Sequence, residues 1–454
     1  MNRRDFVRAG SLGIMSSYLS PSFAFGLIGK SVPSNALTRF HKDIGDASWS
    51  RWEQRIHSLN HNIETRSIRP FPGSREPLET GYSEGTYFDW DLYFENVYLS
   101  YYNITTFDFS NLKMFLDRQM PDGFISRMIT ADGVVLRPTQ MFKPFMAQIA
   151  VLGSKQNGDN VAWLRGNYYS RLKKYLERWF QYDPTGSDLP VWNSSDASGM
   201  DNQYSRSGPL ESYYDQGVDL ASYLVRELQC MAWIADKLGI PSDHKAFLER
   251  SRHVAAKINE VFWDEKDGFY YDRNVKTGKR IPVKSVAGFI PLWVGIAPPD
   301  RAKRLIHEHL INPKEFWLKY PVASYAKTEP DFYEGTRKGE CNWRGCTWVP
   351  TNYMIFHGLV DYGYHDIARE LAYKTFRMAL DENKATREYY DSESGKGYGH
   401  NPFWGWSSLA YTMPLEYELG YDPTEVRGRV YPMLRAELGM EFHDEAKKMA
   451  ASTR

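Results

Sequence analysis

The chain has 454 residues, with 56 basic and 56 acidic side chains and a formal net charge of zero. That balance argues against nucleic acid or an anionic membrane surface as the main partner. Aromatic residues make up 15% of the chain, with 14 Trp and 31 Tyr. That is enough to build a large core and also to line a cleft with rings that offer an apolar face and a polar tip.

The N-terminus reads Asn2-Arg3-Arg4-Asp5-Phe6-Val7-Arg8 and runs into a weakly apolar stretch to about Phe25, with Ser22-Phe23-Ala24 as a small-x-small cleavage site. Paired arginines before an aromatic resemble a twin-arginine export signal. Residues 1–26 are therefore expected to be a signal peptide, with the twin-arginine machinery as a partner during export. The mature protein is expected to be periplasmic or secreted, and exported already folded. No later run is apolar and long enough to span a bilayer, so no membrane association is expected. Residues 27–80 read as a polar leader with Pro70, Pro72, Gly73 and Pro77 and a short helix near Trp49–Asn62.

From there the pattern is helical, giving one domain over 81–445. Periodicity and punctuation predict helices over Leu92–Tyr102, Ser110–Arg118, Phe142–Gly153, Val161–Gln181, Val218–Gly239 and Ser242–Asp264. They continue over Val286–Ile296, Pro299–Ile311, Thr347–Tyr362, His365–Asn383, Trp404–Gly420 and Thr424–Leu438. Gly239 and Gly420 suit helix C-caps, and Pro299 suits a first turn. Strand signals are confined to short pieces such as Gly268–Asp272. Segments such as Val161–Gln181 and Ser242–Asp264 are rich in Lys, Arg and Glu, which suits an outer, solvated ring. Val286–Ile296, Thr347–Tyr362 and Trp404–Gly420 are nearly uncharged, which suits helices buried on most sides. Six inner and six outer helices make an all-α (α/α)6 toroid with a funnel lined by loops. A two-domain helical solenoid stays open as the alternative, although no repeat of fixed period is present.

Between two helical segments lies Val191–Gly208, a long loop holding Asp196, Asp201, Trp192, Arg206 and a row of small hydrogen-bonding residues. Long ordered loops of this kind are more often functional than decorative. Its acidic, aromatic, hydroxyl- and amide-rich content suits a neutral polyol, which makes carbohydrate the expected substrate. Asp89 and Asp91 flank Trp90 before a helix, where either can also act as a cap. Arg344 sits between two tryptophans in Cys341-Asn-Trp-Arg-Gly-Cys-Thr-Trp348, where stacking on a ring is as good an account as a substrate contact. Arg387-Glu-Tyr-Tyr-Asp-Ser-Glu-Ser-Gly395 offers Glu388, Asp391 and Glu393, of which one can face a cleft. Glycoside hydrolysis needs two carboxyl groups from facing loops, an acid for the leaving oxygen and a base for water. The Asp201 and Glu388 loops meet that need.

These four elements resemble, in the same order, those of trehalases and of processing α-glucosidase and mannosylglycerate hydrolase relatives. Ser198-Gly-Met-Asp201 with Ser205-Arg206 is similar to their Ser-Gly-x-Asp…Ser-Arg segment, and Tyr87-Phe-Asp-Trp-Asp91 to their aromatic-Trp-Asp element. Trp343-Arg-Gly345…Trp348…Asn352-Tyr353 resembles the α-glucosidase branch, and Glu388-Tyr-Tyr-Asp391…Phe403-Trp-Gly-Trp406 the trehalase C-terminal element. The resemblance implies an exo-acting inverting α-glycosidase on a glucoside-type di- or oligosaccharide or glycoside, with Asp201 as general acid and Glu388 as general base. It implies Trp90, Asp91, Asn202, Arg206, Trp343, Arg344, Trp348, Phe403 and Trp406 as substrate-binding residues, with no cofactor and no metal. Asn342-Trp-Arg stands where trehalases have Gln-Trp-Asp, and Pro72-Gly-Ser-Arg75 lies too far upstream to match their Arg-rich signature. Both departures favour the α-glucosidase-like branch over trehalase proper, and Asp89 lies outside the pattern.

The acid is expected to be raised in pKa by burial among Trp192, Met200 and other apolar groups. Two other classes stay open. A polysaccharide lyase or uronide hydrolase also uses helical toroids, with His400 as its best base here. A noncatalytic sugar-binding protein would not need both Asp201 and Glu388. Cys230 reads as a buried small hydrophobe, and Cys341 and Cys346 leave a pairing after export open. Asp264-Glu-Lys-Asp267-Gly268 reads as a turn rather than a calcium loop.

Overall fold

The computed structural model describes residues 34–427 except 72, 83–84, 102–105, 208–214, 383–384 and 421. The expected signal peptide and most of the helix expected over Thr424–Leu438 lie outside the described residues. The helices are α1 (Ser34–Ile44), α2 (Asp46–Asn62), α3 (Asp89–Ser100), α4 (Thr106–Leu116), α5 (Met146–Gln156), α6 (Asn167–Phe180) and α7 (Val218–Leu238). They continue as α8 (Pro241–Val261), α9 (Ile290–Trp293), α10 (Pro299–Arg304), α11 (Val349–Asp361), α12 (His365–Asp381) and α13 (Met413–Leu419). A tight helical run, Trp406–Tyr411, leads into α13.

The chain forms an (α/α)6 toroid. The inner ring runs α3, α5, α7, α9, α11 and the 406–419 segment, which packs back on α3 and closes the circle. Every residue of α3 is buried, as are residues 349–360 of α11. The outer helices bury one stripe each: α6 hides Tyr169, Leu172, Tyr175, Leu176, Trp179 and Phe180 and exposes its charged face. The outer position beside α12 is taken by α2, from the stretch expected as leader. Trp52, Ile56, Leu59 and Ile63 recur at helical spacing along one buried face of α2 and the turn that follows it. No helix among the described residues is long and apolar enough to cross a membrane.

Gly239 and Gly420 end α7 and α13 in the left-handed conformation, and Pro299 opens α10. Helix starts differ from expectation where proline intervenes. The expected helix at Phe142 begins only at Met146, past Pro144, since the residue before a proline is disfavoured in the helical region. Val286–Ile296 splits into a tight turn, Val286–Phe289, and α9, with Pro291 in the first turn of α9. The short strands lie at the loops. Trp263–Asp264 with Phe269–Tyr270 and Tyr389–Tyr390 with Gly397–Tyr398 are local pairs. Thr86–Phe88 with Met128–Thr130, and the three-stranded set Val191–Trp192, Asp215–Gln216 and Arg273–Asn274, join distant segments. The three cysteines are free thiols.

The N-terminus of α5 is capped from a neighbouring inner helix. Buried Glu227 of α7 accepts the Ala147 N–H at 2.9 Å and the Gln148 N–H at 3.1 Å, which satisfies two donors that a helix start leaves open. Glu227→Ala should lower stability by about 2–4 kcal/mol in chemical denaturation, because two buried N–H groups lose their acceptor. Glu227→Gln should also destabilise, since its amide turns a further donor toward one of those groups.

Candidate active site

The connections that enter the inner helices meet at one mouth, where helix N-termini favour negative charge. Asp89, Trp90 and Asp91 form the first turn of α3. Their rings and charges meet those of the later loops. Trp90 lies 6.0 Å from Trp343 and 6.2 Å from Trp406, and Tyr82 lies 5.3 Å from Trp406 and 5.1 Å from Phe403. Asp91, Asp201 and Glu388 all act electrostatically on Tyr82, and Glu388 is acted on by both Asp201 and Asp91.

Local chemistry shapes the Val191–Gly208 loop. Val191 and Trp192 pair with Asp215 and Gln216, and Ser194 caps the turn Ser195–Ser198 by accepting the Ala197 N–H. Gly199 ends that turn at φ 80°, where a Cβ would lie 2.7 Å from Lys143 Cε and 2.8 Å from Trp90 Cζ2. Only glycine lets the loop rest on that surface and carry Asp201 inward. Burial pushes the Asp201 carboxyl up to about 7, with Arg127 and Lys143 opposing the rise and Asp196 adding to it. Met200 is fully buried beside it in sequence. Trp192 is turned the other way, donating to Asp219 Oδ1 at 2.9 Å and packing on Trp179. Asp196 accepts from Gln140 Nε2 at 2.7 Å and pairs with Arg127 and Arg137. No described residue donates a hydrogen bond to the Asp201 carboxyl.

Glu388 is 4% exposed and presents both oxygens to donors. The His400 N–H reaches Oε2 at 3.0 Å and the Cys341 thiol reaches Oε1 at 3.6 Å, while Trp406 Nε1 holds the Glu388 carbonyl at 2.9 Å. Gly399, at φ 75°, lies so close that a Cβ there would overlap Oε2. Burial pushes Glu388 up to about 7, against the stabilising His400 N–H and with repulsion from Asp201 adding to the rise. Its neighbouring acids face elsewhere. Asp391 is bonded by Ser394 and Gly335, and Glu393 pairs with Lys327 at 2.5 Å.

Asp91, 2% exposed, accepts the Tyr82 hydroxyl at 2.5 Å, and burial with repulsion from Asp89 raises it to about 7. Asp89 is fully buried on Lys143 Nζ at 2.9 Å and accepts the Lys143 N–H at 3.0 Å. Tyr82, Lys143 and Arg127 were not anticipated: Tyr82 falls just past a stretch read as extended, and Lys143 and Arg127 carry no motif.

Trp90, Asp91, Asp201, Glu388, Phe403 and Trp406 thus come together, with Trp343 reaching Trp90. Trp343 and Trp348 stack at 3.8 Å and 9°, and Tyr389 extends the stack at 4.6 Å. Asn202 and Arg206 are directed into protein instead. Asn202 donates to Tyr333 and Glu340 and accepts the Trp343 N–H. Arg206 is 2% exposed between Asp219 at 2.6 Å and Asp272 at 2.5 Å. Half-buried Arg344 pairs with Glu340 at 3.1 Å and lies over Tyr333.

The chain belongs to a glycoside hydrolase family, since the model of the mannosylglycerate hydrolase MGH1-like glycoside hydrolase domain matches residues 87–407. It is similar to a cytosolic neutral trehalase of Kluyveromyces lactis, 26% identical over 332 residues, covering 61% of this chain and 43% of that protein. It is also similar to a mannosylglycerate hydrolase of Thermus thermophilus, 36% identical over 152 residues, covering 33% of this chain and 34% of that protein. The chain therefore spans less than half the length of either relative. Among solved structures, a GH63 mannosylglycerate hydrolase from Thermus thermophilus in complex with glucose superposes with a TM-score of 0.65 at 20% identity, over 80% of this chain and 99% of that one. Neutral trehalase Nth1 from Saccharomyces cerevisiae gives 0.59 at 18% identity, over 84% and 85%. Both share the toroid.

Carboxyls raised in the folded state favour it while protonated. Their contribution is present below the ordinary carboxylate pKa and is lost as pH rises toward 7. Asp201→Asn and Glu388→Gln should therefore each raise unfolding free energy at pH 8, by about 1 kcal/mol or more. The gain should shrink as pH falls to 4, as followed by thermal melts across pH.

Proposed function

We propose that the chain is an exo-acting inverting α-glycosidase, with Asp201 as general acid and Glu388 as general base. The observation that carries this is an asymmetry between two carboxyls raised to about 7, buried Glu388 and half-buried Asp201. Glu388 accepts hydrogen bonds that favour its ionised form, while the Asp201 carboxyl receives none from the described residues. One environment favours a base and the other a proton donor.

In this reading a sugar stacks near Trp90 and Trp406, and Asp91 accepts from its hydroxyls. Asp201 gives its proton to the glycosidic oxygen as that bond breaks. Glu388 takes a proton from water attacking the opposite face of the anomeric carbon. An inverting site holds its carboxyls about 6.5–9.5 Å apart to admit that water. An α-linked substrate would then release a β-sugar. Repulsion between the two carboxyls disfavours double ionisation, so the active form carries one proton between them, and kcat/KM should be bell-shaped in pH.

A glucoside-type substrate follows from the α-glucosidase-like motifs. The mannosylglycerate hydrolases among the relatives make α-mannosides of a small acid the first competitor. A lyase is disfavoured because Arg206 is committed to Asp219 and Asp272, leaving it no part in neutralising a uronate.

A panel of α-glucosides, trehalose, α-mannosides and mannosylglycerate, followed by proton NMR, should show β-anomer as the first product from one class. Initial release of α-anomer would rule out inversion. Asp201→Asn and Glu388→Gln should each cut kcat by at least about 1,000-fold with KM little changed. Glu388→Ala with azide should yield a β-glycosyl azide. Near-native turnover in either variant would remove that residue from its role.

A further inference from the structure

The loop before α11 bridges the two carboxyls. The Trp343 N–H is held by Asn202 Oδ1 at 2.9 Å and its carbonyl by Gln203 Nε2 at 2.6 Å, both from the residues that directly follow Asp201. Asn342 pins the same loop through Nδ2 to the Tyr333 and Gly335 carbonyls at 2.8 Å, and its own carbonyl accepts Trp348 Nε1 at 2.8 Å. Further on, Thr347 exchanges backbone hydrogen bonds with Tyr390 at 2.7 and 3.0 Å, two residues past Glu388. From this loop the Cys341 thiol reaches the Glu388 carboxyl, at Oε1.

We propose that Cys341 is a positioning residue for the reaction, whose thiol fixes the Glu388 carboxylate relative to Asp201 from a loop fastened to both. The inference rests on the reading of Glu388 as general base. A carboxylate has about four lone-pair sites. Here the His400 N–H occupies Oε2 and the thiol occupies Oε1, so the carboxylate plane is set from both ends and lone pairs remain free for water. The half-buried thiol stays protonated at neutral pH, since burial and the nearby Glu388 and Asp201 charges all disfavour a thiolate. It is therefore a permanent donor. The donor is weak and long, which orients Glu388 without pulling its pKa far from neutrality.

The test compares wild type, Cys341→Ala, Cys341→Ser and Glu388→Gln in pH profiles of kcat and kcat/KM on the best-hydrolysed α-glycoside. Loss of the donor should move the acid limb of Cys341→Ala upward by about half a pH unit. It should also lower kcat by about 3–10-fold with KM nearly unchanged. Cys341→Ser, which keeps a donor, should recover part of both. A Cys341→Ala profile that matches wild type overturns the inference while the base reading stands on an inactive Glu388→Gln. A fall in kcat with an unmoved limb makes Cys341 a packing residue and also overturns it. If Glu388→Gln keeps near-native turnover, the base reading fails and this inference fails with it.

Discussion

The site depends on one buried ion pair, Lys143 with Asp89, both fully removed from solvent. Such pairs carry a large desolvation cost, and they persist only where further contacts satisfy both groups. Here Asp89 accepts both the ammonium and the backbone N–H of Lys143, and Arg127 approaches it at 3.9 Å. The ammonium lies 5.0 Å from the Trp90 ring centre, and the side chain forms the surface on which Gly199 rests. Three segments distant in sequence are thereby joined: the start of α3, the approach to α5 and the Asp201 loop. Without this pair, Gly199 would lose part of the surface it rests on, and Trp90 would lose the cation beside its ring.

The same pair explains how three acids share one mouth. Asp91, Asp201 and Glu388 are raised to about 7 by burial, and the charges of Lys143 and Arg127 moderate the rise at Asp91 and Asp201. Stronger pairing would favour the ionised forms of Asp91 and Asp201, and weaker pairing their neutral forms. Cations held back by Asp89 and Asp196 supply an intermediate field. The stability forgone in burying half-satisfied carboxyls is the usual cost of a poised site.

The architecture was legible because burial leaves a compositional trace. Charge-poor segments proved to be inner helices, and charge-rich segments proved to be outer ones. The short helix expected near Trp49–Asn62 is present in α2, but its buried stripe Trp52, Ile56, Leu59 and Ile63 went unread, and the polar, proline-bearing stretch after it made the whole segment look like leader. Boundaries failed where a local rule overrode periodicity, at Pro144 and Pro291. Asp201 and Glu388 were singled out by motif and by the need for facing carboxyls, and the structure brings them within each other's field. Partners far apart in sequence left no such trace. Nothing near Arg206 signals that Asp219 and Asp272 enclose it, 13 and 66 residues later. Lys143 stands alone in its segment.

Arg206 and Asn202 show why a motif can be read correctly and still mislead about contact. Both follow Asp201 within five residues and match a sugar-site pattern, yet each faces protein. A loop that carries a carboxyl raised to about 7 at the mouth needs anchors more than it needs extra ligands. Arg206 ties its far end to α7 through Asp219, and Asn202 ties its near end to the Trp343 backbone. Charged and amide groups beside an acid therefore divide between touching substrate and holding the acid still. Burial with complete local pairing distinguishes the second task, and by that criterion the loop's polar residues serve Asp201 before they serve a ligand.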